Sequence, residues 1–135
     1  MIELSKEKPY EDACKILGLR PVANYKSYKL TDETRNFIKL ETVAKALNEG
    51  WKPTTIDPKE VRYYVWGWNY TDNRKPSGLL YVCSLNGLGL ALADVGTSLE
   101  FKDRDTAKEF ARMCKPMIVK YLFGRDDHEN FKFDF

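Results

Sequence analysis

The sequence predicts an α+β domain in which about three helices pack on one face of an antiparallel meander of three to four strands. Three observations carry that prediction. Apolar residues recur at helical spacing in the first 50 residues and again after residue 103. Between them, from residue 62, aromatic and β-branched residues alternate with a period of two. Asn86-Gly87, the strongest short hairpin signal in the chain, falls inside that alternating stretch.

The elements follow in order. A first helix is expected over 9–17. Pro9 suits the first helical position, Glu11 and Asp12 suit the positive end of the helix dipole, and Gly18 suits the stop. Tyr10, Ala13, Cys14 and Leu17 share one face. Residues 19–30 form a connection. Thr31 is a good N-cap for a second helix that Gly50 ends, with Phe37, Leu40, Val43, Ala44 and Leu47 as its buried stripe. Pro53 and Pro58 place a loop at 51–60. RYYVWGWNY (62–70) and LLYVCSL (79–85) read as strands around an exposed turn at 71–78. LGLALA (88–93) is the expected hairpin partner of the second strand, and SLEF (98–101) a short fourth. Asp103 caps a third helix, which Pro116 should kink and Gly124 should end. The tail RDDHENFKFDF alternates Phe131, Phe133 and Phe135 with polar residues, the pattern of an edge strand or a mobile arm.

A chain of 135 residues is one domain's length and buries roughly two thirds of its unfolded surface, so a core needs no metal or disulfide staple. The expected division is a single α+β domain over 1–125 followed by an acidic, aromatic tail over 126–135. No apolar run approaches the ~20 residues that span a bilayer. Residues 1–12 mix acids with lysines and lack the apolar stretch of a signal peptide, so the expected location is the cytoplasm, with no membrane partner. The three cysteines, Cys14, Cys83 and Cys114, are odd in number, widely spaced and set among apolar residues. They are expected to be buried, unlinked thiols rather than a disulfide framework or, with His128, a zinc site.

Charge is a weak guide. The net charge is +2. Residues 71–125 carry nine Lys/Arg against six Asp/Glu, and 126–135 one lysine against four acids. A mildly basic body with an acidic tail falls short of a dedicated duplex-binding domain.

The chemistry-bearing motifs are mostly absent. The single histidine, His128, lies in the tail, a poor place to hold a base rigidly beside a nucleophile, and two-histidine metal sites are excluded by count. Gly87, Gly89 and Gly96 lack the GxGxxG spacing and follow a hairpin signal instead of opening a helix. Asp103 and Asp105 read as helix-capping residues, and Asp126, Asp127 and Glu129 as solvated acids. No catalytic residue, cofactor or metal is expected, and the reading is of a non-enzymatic protein.

The aromatic strand is the strongest functional feature. Strand alternation puts Tyr64, Trp66, Trp68 and Tyr70 on one face and Tyr63, Val65, Gly67 and Asn69 on the other. Four aromatics in a row serve as core, as a protein interface, or as a base-stacking platform whose phosphates meet Arg62, Arg74 and Lys75. Arg62, Tyr64, Trp66, Trp68, Tyr70, Arg74 and Lys75 are therefore the candidate partner-binding residues.

Pro9 with YEDACKILGLRP (10–21), IKLETVAKALNEGWKP (38–53), RYYVWGW (62–68) and SLEFKDRDTAKEFARMCKPMIVKYLF (98–123) together resemble a group of small uncharacterised proteins from phages and prophages of Bacteroidetes-type bacteria. That group shares a YEDACxxLG start, an ALNEGWxP helix end, an aromatic YYPW strand and an FKSxExAKYxxxxF ending helix. Val65 stands where the group often has proline, and the segment 80–96 is only loosely similar. The resemblance implies a mobile-element origin and brings no catalytic residues. By analogy with small phage proteins that bind host machinery, it implies a partner that is a host protein or ribonucleoprotein, in the most specific form a CRISPR effector nuclease blocked by an anti-CRISPR-type inhibitor. The other expectation is a single-strand RNA-binding module using the aromatic face.

Overall fold

The structure is a computed structural model that describes residues 2–26, 28–53, 59–69, 77–86 and 97–135. Three α-helices and a three-stranded sheet make an α+β fold.

Helix α1 (Pro9–Leu17) starts on proline and stops where Gly18 takes the left-handed conformation, φ 69°. Tyr10, Ala13 and Cys14 are its buried face, and the Tyr10 hydroxyl accepts a hydrogen bond from the Ala23 N–H at 3.1 Å. Helix α2 (Asp32–Leu47) is capped by the Thr31 side chain, which accepts from the Thr34 N–H at 3.1 Å. Leu40, Val43, Ala44, Ala46 and Leu47 are buried, and Phe37 packs at the margin of the core. The helix ends three residues before Gly50: Asn48 is the cap, and Glu49 (φ 49°) and Gly50 (φ 91°) turn the chain away.

Strands β1 (Val61–Trp68) and β2 (Gly78–Asn86) pair antiparallel, with Tyr64 opposite Cys83, Trp66 opposite Tyr81 and Trp68 opposite Leu79. Val65, Leu80 and partly Val82 turn toward the core formed with α2 and α3. LGLALA, expected to follow as a third meander strand, lies outside the described residues, as does the 71–76 part of the expected turn.

The fourth expected strand, 98–101, is a 3₁₀ turn (Thr97–Leu99) followed by a single bridge. Tyr63 and Phe101 exchange both backbone hydrogen bonds, at 2.9 and 2.8 Å. The pairing stops there because Asp103 caps α3 two residues later, accepting from the Thr106 N–H at 2.8 Å. Helix α3 (Arg104–Phe123) loses helical geometry at Cys114 (φ −114°, ψ 19°), two residues before Pro116, where proline removes a donor and crowds the preceding turn. Gly124 (φ 65°) ends it.

The sheet is mixed, not a pure antiparallel meander. Its third strand, β3 (Phe131–Phe133), comes from the tail and runs parallel to the start of β2, with Gly78 opposite Phe131 and Leu80 opposite Phe133. Of the two readings of the tail, the structure holds the edge strand. Phe131 is 1% exposed, stacks on Phe123 at 5.3 Å and lies over Gly78, where a Cβ would stand inside its ring. Phe133 and Phe135 stack at 5.0 Å beneath Lys108, Arg112 and Lys115 of α3.

Cys14 and Cys114 are buried and Cys83 is half-buried; all three are free thiols. Burial pushes the Cys114 thiol far above its ordinary pKa, so it is inert. Among the described residues no helix is long and apolar enough to cross a membrane.

Phe131→Ala removes a fully buried ring, and loss of about 3–5 kcal/mol is expected, seen as a fall in chemical-denaturation midpoint. Gly78→Ala should destabilise the same strand pair, because the new methyl displaces that ring. Wild-type stability in both variants would show that the tail contributes nothing to the fold.

Candidate functional site

The face of the sheet turned away from the helices carries the candidate residues. Strand parity assigns Arg62, Tyr64, Trp66 and Trp68 to it from β1, and the register adds Leu79, Tyr81 and Cys83 from β2 and Lys132 from β3. Burial falls steadily along β1. Arg62 is 0% exposed, Tyr64 is buried, Trp66 is half-buried, and Trp68 is 59% exposed. Leu79 and Tyr81 are half-buried and Lys132 is exposed. The face therefore has a closed end and an open end.

At the closed end Arg62, expected to meet a phosphate, is buried. Its Nη1 pairs with the Glu100 Oε1 at 3.4 Å, and Glu100 is itself 1% exposed. The pairing follows from the Tyr63–Phe101 bridge, which sets Glu100 alongside β1. Asn48 Nδ2 donates to the Glu100 carbonyl at 3.0 Å, so the end of α2 is tied to the same point. Burial pushes the Glu100 carboxyl above the usual carboxylate range, and this outweighs the pull of the Arg62 guanidinium in the other direction. Tyr64 is also withdrawn from any stacking platform. Two of the seven candidates thus serve the interior, because the sheet face on which they lie is covered at that end. Tyr70, Arg74 and Lys75 lie outside the described residues.

At the open end the structure brings together Trp66, Trp68, Leu79, Tyr81 and Lys132. Across the three strands Trp68, Leu79 and Lys132 are in register. The strand end is held from below. Arg125 Nη1 donates to the Asn69 Oδ1 at 2.6 Å, Nε of the same guanidinium donates to Asp127 at 2.8 Å, and its Cζ lies 4.6 Å from the centroid of the Phe131 ring. The Arg125 guanidinium holds the Asp127 carboxyl well below the usual range. Leu79 and Tyr81 were readable in the sequence from the parity of β2 once the register was known. Lys132 was not, since its place depends on a parallel pairing that no local signal announces.

Among the described residues no group of three or more His, Cys, Asp or Glu could hold a metal. Asp103 is spent on capping α3, and Asp126 pairs with Lys120 at 3.6 Å. Comparison with known proteins returns no match: no family model fits the chain, and no curated protein or solved structure matches it.

Removing one partner of the buried pair strands a charge, so Arg62→Ala is expected to cost about 3–5 kcal/mol of stability. The raised Glu100 pKa also fixes a sign. The folded protein holds this proton more tightly than the unfolded chain does, so Glu100's contribution to stability is greatest at acid pH. It falls as pH rises from about 4.3 through the folded value. Unfolding curves between pH 4 and 7 should show wild type losing stability relative to Glu100→Gln as pH rises. An opposite slope would mean that Arg62 lowers the carboxyl pKa overall.

Proposed function

We propose that the chain is a non-enzymatic binding protein that engages a host protein or ribonucleoprotein through the open end of the outer sheet face. In its most specific form it is an anti-defence inhibitor of the anti-CRISPR type, acting on an RNA-guided nuclease in the cytoplasm of the host cell. The observation that carries the binding reading is Trp68: a tryptophan 59% exposed at the end of a sheet strand, beside half-exposed Trp66, Leu79 and Tyr81. Leaving so much apolar ring in water is a cost in the free protein, and Trp and Tyr on a rigid scaffold are the residues that dominate protein interfaces. The resemblance to phage and prophage proteins supports the choice of partner.

A second reading, a single-stranded RNA module, is favoured by Lys132, a cation in register with Trp68 on the same face. Against it, Arg62 and Tyr64 are buried, which shortens the stacking surface and removes one phosphate contact.

Trp68→Ala should change stability by less than about 1 kcal/mol, because the ring is already mostly in water. It should nevertheless abolish capture of the partner when tagged protein is pulled down from its natural host, with protein and RNA in the eluate both identified. Tyr81→Ala should weaken capture of the same species. Recovery of RNA without protein, with affinity falling steeply with salt, would transfer the function to the second reading. Undiminished protein capture by Trp68→Ala would refute the sheet-face site.

A further inference from the structure

A cleft of about 420 Å³ opens at the C-terminal end of α2, and none of its lining belongs to the sheet. Leu17 at the end of α1, Trp51 and Pro53 supply its apolar wall; Glu41, Lys45 and Asn48 of α2, with Lys52, supply its polar one. The volume falls within the range of small-ligand sites.

The sequence builds this cleft deliberately. Glu41, Lys45 and Asn48 are spaced i, i+4 and i+7, so they share one face of α2. The helix stops at Asn48, and two successive positive φ values, at Glu49 and Gly50, fold the chain back. Only Gly50 adopts that conformation without cost. The turn closes with the Trp51 N–H donating to the Asn48 carbonyl at 2.9 Å, which brings the indole to the cleft wall. Asn48 is held in place by its own bond to the Glu100 carbonyl.

Lys45 and Lys52 stand on this cleft without an acid within 4 Å among the described residues. Two ammonium groups without a paired acid, beside an indole, fit a ligand that is planar and aromatic at one end and anionic at the other. Lysine meets phosphate as a point charge, and an indole face stacks on any nucleobase. Glu41, the remaining charge, can accept hydroxyl hydrogens of a sugar.

We propose that this cleft binds a nucleotide, the base against Trp51 and the phosphate between Lys45 and Lys52. The nucleotide is either free or the 5′-terminal unit of a single strand. The site shares no residue with the sheet face and stands or falls independently of it.

Titration calorimetry on the full chain with adenosine 5′-monophosphate, adenosine and a 5′-phosphorylated oligoadenylate tests the assignment. Saturable binding of the monophosphate is expected, with adenosine at least about tenfold weaker because it lacks the group the lysines meet. The exposed double substitution Lys45→Glu/Lys52→Glu should cost at least about tenfold in affinity while leaving the melting curve in place, so loss of folding cannot imitate the result. Trp51→Leu should weaken monophosphate and adenosine alike, and Trp68→Ala should change neither. Tighter binding of the oligonucleotide than of the monophosphate identifies a strand end as the ligand; equal or weaker binding identifies the free nucleotide. No saturable monophosphate binding up to about 10 mM, or binding that the double lysine substitution leaves intact, overturns the proposal.

Discussion

Phe131 packs against Gly78, in a space that a Cβ at position 78 would enter, and much of the molecule's second half is arranged around that one seat. The ring also stacks on Phe123 at the end of α3 and has the Arg125 guanidinium over it at 4.6 Å. It therefore couples the last turn of a helix, an edge strand and the loop between them. Gly124 makes the coupling feasible: its left-handed conformation turns the chain sharply enough for the tail to come back beside β2. With Phe131 seated, Phe133 and Phe135 fall on the same side by alternation and lie under three cations of α3. An acidic segment that would repel itself as a free arm is thus held by its apolar alternate residues and by one arginine.

The opposite corner of the sheet depends on a different kind of constraint. Arg62 and Glu100 are both removed from water, and a pair of this sort seldom adds net stability over apolar residues of the same size, because desolvation offsets the attraction. Its effect is on specificity. A strand slipped by one residue would turn Arg62 toward the apolar core and leave Glu100 without its cation, so the pair penalises that alternative heavily. The Tyr63–Phe101 bridge and the Asn48 amide hold Glu100 in the matching position.

These two corners explain what the sequence disclosed and what it concealed. The helices were legible because their ends are written locally. Pro9 and Gly18 bound α1, Thr31 opens α2, and Asp103 and Gly124 bound α3, each through a hydrogen bond or a φ value that one residue determines. The sequence sets the end of α2 late because Gly50 resembles a stop, whereas Asn48 is the cap and Glu49 already takes a positive φ. β1 and β2 were legible from their period. The parallel strand was not, since FKF pairs with residues more than fifty positions away and its alternation is equally that of a solvated arm. The candidate site was half legible. Parity placed Tyr64, Trp66 and Trp68 on one face, but parity is blind to which end of a face is covered. Arg62, the residue whose charge most suggested a surface role, is among the most deeply buried side chains of the protein.

The covering of one end bears on how the other end can work. Trp68 is the last residue of its strand, a place where chains commonly fray. Here Asn69 is fastened to Arg125, and Arg125 to Asp127 and Phe131. The exposed indole therefore projects from a backbone held on both sides: by the ladder to Leu79 within the sheet, and by the arginine beyond it. Ordering a mobile aromatic on association costs free energy that a fixed one does not lose, so a ring presented this way retains more of its burial energy as affinity. The same clamp that completes the fold at Phe131 thus holds the strand end that carries the ring proposed for recognition, so stability and the proposed binding meet at Arg125 rather than at any residue of that face itself.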